Sequence, residues 1–236
     1  MGTGPRIRPP VFEIGLKGYS WGTAAVRLAV EADRLAERLS VSVVFNAQAV
    51  DIPAIAAATG HVLVFAQHMD PVPPGRGVGG ILAEALRDAG AVGTLLNHSE
   101  KPMALGDLAR AVARARETGL GTLVFADSPR EAAALAHLGP DIILSEPPEL
   151  IATGRSAGAV MAEFVEETLA VVRAIDPSIL VLSGAGVSTA ADVAGMVRLG
   201  LDGTGTSSGI LKADDPVRVM REMLEALAGA WEERHR

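Results

Sequence analysis

Cysteine is absent from all 236 residues, which excludes disulfides and thiolate metal sites. Aromatic residues are nearly as scarce, at 3% of a chain that is 49% hydrophobic. A core therefore has to be assembled from Ala, Val, Leu and Ile. Positive charge is in deficit: 21 Lys and Arg stand against 28 Asp and Glu, a net −7. A surface of that sign attracts neither nucleic acid nor an anionic membrane, so neither is expected as a partner. An anionic small molecule has to be held by local donors. No apolar run approaches the roughly 20 residues of a membrane span, and the opening MGTGPRIRPP contains no signal-type apolar segment. No His, Asp and Glu fall at metal-ligand spacing, so neither a metal nor a cofactor is expected. The expectation is a chain working in the cytoplasm.

What is present is a repeated alternation. Short β-rich runs lie at 11–17, 41–47, 62–67, 93–98, 121–127, 141–146, 179–185 and 202–208, separated by Ala-, Arg- and Glu-rich stretches of helical period. Strict alternation predicts parallel strands with covering helices. Eight repeats suit an α/β (β/α)₈ TIM barrel, for which about 250 residues are typical. The rival, a doubly wound open sheet, lacks its Gly-rich fingerprint after the first strand. Residues 1–10 are expected as a flexible extension and 11–236 as a single barrel domain.

Such a barrel carries its active site at the C-terminal strand ends. Those ends present Lys17, Asn46, Gln67 with His68, Asn97 with His98, Asp127, Glu146, the turn 184–186, and Ser207 with Ser208. A lysine, a histidine and a glutamate on one pocket suit proton transfer beside a carbonyl. The carboxylate takes a proton from carbon, the imidazole polarises the oxygen, and the ammonium steadies the developing charge. The Gly-containing turns SGAGVST (183–189) and TSSGILK (206–212) offer backbone N–H groups where such barrels often hold phosphate. The inferred substrate is a small phosphorylated carbonyl compound.

Four motifs, LLNHSE (95–100), EPPELIATG (146–154), FAQHMDP (65–71) and SGAGVSTAADV (183–193), resemble the triosephosphate isomerases, in particular their short archaeal type. The likeness runs over about residues 11–227. It implies an aldose–ketose isomerase without a cofactor, serving glycolysis and gluconeogenesis in the cytoplasm and assembling as a homo-oligomer, a dimer or tetramer. It also implies roles established for that family. Glu146 would be the base and His98 the electrophile. Lys17 would bind substrate, oriented by Glu100, at a strand end that includes Gly15 and Leu16. Gly186, Ser207 and Ser208 match phosphate-binding positions. The lid would be Pro147 to Gly154, with Ile151 near the substrate. A lid beside the base answers a chemical need, because an enediolate left in water eliminates phosphate.

The sequence also departs from the family pattern. The first strand should end Asn-x-Lys but reads Gly15-Leu16-Lys17, which is expected to remove a hydrogen bond to substrate and to open the pocket floor. The last strand, DGTGTSSG, is unusually polar, and Thr204 and Thr206 are expected to face the barrel interior. Ala152 stands at a lid glycine, and HSEKP replaces the usual HSERR. Two alternatives follow: the same chemistry on a four- or five-carbon sugar phosphate, or a barrel with reduced or lost catalysis. A Schiff-base aldolase using Lys17 is a further reading. His68 is expected to be structural or at a subunit contact, and Asp127 to cap the helix that follows it.

Overall fold

The computed structural model of the protein describes residues 7–147 and 158–236. Eight strands close into a barrel in chain order, every neighbour parallel. They are β1 (Val11–Gly15), β2 (Ser42–Ala47), β3 (Leu63–Ala66), β4 (Gly93–Leu96), β5 (Gly121–Ala126), β6 (Ile142–Ser145), β7 (Leu180–Ser183) and β8 (Gly203–Thr206). The helices are α1 (Gly22–Leu39), α2 (Ile52–Ala58), α3 (Ala83–Asp88), α4 (Leu105–Thr118), α5 (Pro129–Ala136), α6 (Gly158–Ile175), α7 (Ala190–Arg198), α8 (Ser208–Leu211) and α9 (Pro216–Arg234). Among the described residues the alternation is the expected one, with a single addition: the one-turn α8 just beyond β8.

Side chains two residues apart on a strand share a face, and this period splits the core in two. Phe12, Ile14, Val43 and Phe45 point outward to the helix layer. Val11, Val44, Phe65, Leu95 and Leu123 point into the barrel. With so few aromatics, each has a defined place. The Phe65 ring crosses to β4, where a Cβ on Gly93 would meet it at 2.2 Å; glycine there is the room the ring needs. Ile7 packs under the interior cluster, and the Arg8 N–H donates to Ser42 Oγ at 3.3 Å. Ile7 and Arg8 are thus tied to the barrel.

The register also corrects the reading of β8. Glu13 pairs with Gly205, whereas Phe12 pairs with Thr204 and Ile14 with Thr206. Because Phe12 and Ile14 face the helices, the inward positions of β8 are its glycines. The threonines turn the other way: Thr204 Oγ1 donates to the Ser183 carbonyl at 2.6 Å and Thr206 Oγ1 to that of Val187 at 2.8 Å. The cap of α5 differs by one residue from the expected Asp127. Ser128 is the N-cap, and its hydroxyl accepts from the Glu131 N–H at 3.2 Å. Among the described residues no helix is long and apolar enough to cross a membrane.

Candidate active site

A cavity of about 630 Å³ opens at the C-terminal ends of the strands, within the range of small-molecule sites. Lys17 enters it just beyond β1, with a left-handed backbone at φ 47°. Two glutamines hold that turn: Gln67 Nε2 donates to the Lys17 carbonyl at 3.0 Å, and Gln48 Nε2 at 3.4 Å. The side chain reaches Glu100, Nζ to Oε1 at 2.7 Å, so its ammonium is fixed at the cavity edge.

His98 is set by the residue before it. Asn97, also left-handed at φ 58°, donates from Nδ2 to the Phe125 carbonyl at 3.1 Å and accepts the Met103 N–H at 3.0 Å. This amide clamps the exit of β4 to β5. The His98 ring then rests edge-on against Phe125, with centroids 4.6 Å apart. Its Nδ1 accepts the Glu100 N–H at 3.0 Å. An accepting Nδ1 carries no proton, so the proton of the neutral ring sits on Nε2.

Glu146 follows β6, its N–H bonded to the Ala126 carbonyl at 2.9 Å. Its carboxyl lies across the exit of β7, where a Cβ on Gly184 would fall 2.7 Å from Oε1. Gly186, left-handed at φ 73°, turns the chain after β7. Ser207 and Ser208 follow β8 and line the same wall of the cavity.

His98, Glu146, Lys17, Gly15, Gly186, Ser207 and Ser208 therefore all line one cavity. Leu16 does not: its side chain is fully buried in the outer core, because it alternates with Gly15. His68 lines the cavity as well, with Nε2 3.3 Å from Asp70 Oδ1. Ile151, and the lid from 148 to 154, lie outside the described residues.

The floor is not opened by Gly15. A Cβ there would meet Ser207 Oγ at 2.5 Å and Glu13 Oε1 at 2.9 Å, so the expected space is filled from two sides. Glu13 went unnoticed in the sequence. Its signal was an acid between Phe12 and Ile14 in the middle of an apolar strand.

A sequence model of the family described as Triosephosphate isomerase matches residues 14–224. The chain belongs to the triosephosphate isomerase family. It is 38% identical over 226 residues to the triosephosphate isomerase of Pyrobaculum calidifontis, covering 95% of this chain and 99% of that one. Against that of Methanobacterium bryantii the identity is 36% over 220 residues, covering 92% and 97%. Against that of Methanocaldococcus jannaschii it is 37% over 214 residues, covering 90% and 97%.

The electrostatics of this triosephosphate isomerase-family cavity are set by burial. Burial pushes Glu146 up to about 7; Lys17 opposes the shift and Asp127 adds to it. Burial also lowers His98, and the nearby Lys17 charge lowers it further against the pull of Glu100. The ring is therefore a neutral donor at physiological pH. The hydrogen bond from Lys17 holds Glu100 below the usual carboxylate range, which keeps that ion pair charged. Glu13 is driven up to about 8, first by burial and then by Glu146, against the Asn46 hydrogen bond and Lys17. The Glu146 charge thus favours the protonated form of Glu13, as a like charge nearby does.

Proposed function

We propose that this chain interconverts the aldose and ketose forms of a small sugar phosphate, dihydroxyacetone phosphate and glyceraldehyde 3-phosphate, using Glu146 as base and His98 as electrophile. The carrying observation is that Lys17, His98 and Glu146, from the ends of β1, β4 and β6, line one cavity in which burial raises the Glu146 carboxyl and lowers the His98 imidazole. An aldose–ketose isomerase is also what the names of its relatives lead one to expect.

The Glu146 carboxylate removes a proton from the hydroxyl-bearing carbon next to the carbonyl. The C–H electron pair becomes the C=C bond of an enediol, and the carbonyl π pair moves to oxygen. His98 Nε2–H donates to that oxygen and supplies its proton, while the adjacent hydroxyl returns one to the ring. Glu146 then delivers its proton to the other carbon, so no atom or electron is gained or lost. Lys17 draws the developing negative charge, and Glu100 keeps its ammonium in place. Gly186, Ser207 and Ser208 hold the phosphate.

An aldolase through Lys17 is disfavoured by the 2.7 Å ion pair with Glu100, which commits Nζ as a charged donor. A barrel without catalysis is disfavoured by the intact trio. The family setting supports a cytoplasmic homo-oligomer in central sugar metabolism, its state to be read by light scattering. Shortening the base tests the assignment directly. Glu146→Asp retracts the carboxylate by one methylene, and a misplacement of about 1 Å costs roughly a hundredfold. A fall of that size in kcat, with an unaltered circular dichroism spectrum, is expected; an unchanged kcat overturns the role.

A further inference from the structure

One ionisable side chain in this cavity has no part in the proton transfer. Glu13 is 6% exposed and Asn46 fully buried, yet both line the cavity. They meet because β1 pairs Gly15 with Asn46 on one side and Glu13 with Gly205 on the other. A Cβ on Gly205 would fall 2.5 Å from Glu13 Oε2, and one on Gly15 2.9 Å from Glu13 Oε1. Two glycines thus make the room that the carboxyl occupies.

Asn46 Nδ2 donates to Glu13 Oε1. Asn46 Oδ1, buried with it, has no partner. Leaving such an acceptor unpaired is unfavourable, and a ligand donating to it removes that penalty. The ligand group must donate to Oδ1. It must also suit Glu13, which carries its proton at neutral pH and offers that proton as a donor. A hydroxyl does both. A phosphate does not, since Glu146 already places negative charge beside Glu13.

Substrate chemistry decides which hydroxyl. Glu13 is rooted two residues before Gly15 on β1, and its carboxyl rises beside Gly15, with Oε1 2.9 Å from where a Cβ there would lie. Lys17, His98 and Glu146 sit at or beyond the strand ends. The reaction engages the oxygens of two neighbouring carbons and the phosphate takes a third, so a hydroxyl free to meet Glu13 and Asn46 requires a fourth carbon.

We propose that Glu13 and Asn46 form a hydroxyl-binding subsite at the floor of the active site, which admits sugar phosphates of four carbons as substrates beside the triose. The proposal rests on the isomerase reading for its chemistry, but not for its binding. The deciding test therefore uses ligands that have no carbonyl and are not turned over. Glycerol 3-phosphate and erythritol 4-phosphate are titrated into the full chain by calorimetry at pH 7. Erythritol 4-phosphate is expected to bind at least tenfold more tightly. Glu13→Leu and Asn46→Ala, with thermal midpoints checked, are each expected to bring the ratio of the two Kd values toward one. A ratio near one in the unaltered chain, no binding of either ligand, or a ratio retained in both variants overturns the subsite. Turnover is measured in parallel on glyceraldehyde 3-phosphate and a tetrose phosphate. Turnover of the triose with a Kd ratio of one removes the subsite and keeps the isomerase. A tenfold ratio with no turnover of either sugar keeps the subsite and removes the isomerase reading.

Discussion

At the scale of single residues, the cavity works by withholding water from its acids. Burial, with Asp127 adding to it and Lys17 opposing, moves Glu146 to about 7, which makes it a stronger base than an exposed carboxylate once ionised. With Glu146 as the proposed base the carboxylate is the active form, so activity is expected above that value and is lost below it. We expect kcat/KM to fall about tenfold for each pH unit below about 7, after allowance for the substrate's own phosphate titration near 6. A pH–rate profile of the free enzyme measures it; a limb at the ordinary glutamate value contradicts the burial account. His98 is moved the opposite way by the same cause. That favours the neutral ring, the form that donates from Nε2.

At the scale of elements, the site depends on how helices and strands end. The turns that present Lys17 and His98 are left-handed at φ 47° and 58°, a conformation that costs a non-glycine residue on the order of 1–2 kcal/mol. Side-chain amides from Gln67, Gln48 and Asn97 hold those turns. The helices are fixed by similar local devices. Thr189 and Asp192 form a reciprocal capping box at α7, and Ser128 caps α5. Ser128→Ala removes one such bond, worth about 1 kcal/mol. In a chain of this size that lowers the thermal midpoint by about 2–4 °C, measurable by calorimetry, while kcat is expected to hold, since Ser128 does not line the cavity and α5 reaches Asn97 only through Glu131 Oε1 at 3.3 Å.

At the scale of the whole molecule, the barrel interior is an apolar plug with one acid built into its upper layer. Glu13 has a folded-state value of about 8 against 4.5 when exposed. The folded chain therefore holds a proton that the unfolded chain releases across that window. Its stabilising contribution is complete below about 4.5 and lost as pH rises through about 8. The thermal midpoint is expected to decline from pH 5 to 8.5, and Glu13→Gln, which stays neutral throughout, is expected to flatten that decline. Equal slopes in the two proteins would show that Glu13 ionises as freely folded as unfolded.

The alternation of β-rich and helical runs was enough to fix the barrel, because strand order and parallel pairing follow from eight repeats that each must bury an apolar face. The ends of those runs named Lys17, His98 and Glu146, since polar groups at C-terminal strand ends converge on one mouth. Gly15 was legible as a departure, but its meaning was not. Only the closing of β8 onto β1 shows that the missing side chain is replaced by Glu13 and Ser207. The inward face of β8 was misread for the same reason: its parity is set by pairing with β1, a contact nearly two hundred residues distant in sequence. Local sequence determined the elements and which side chains meet at the cavity. What fills the floor of the barrel was decided by long-range register, which no local pattern encodes.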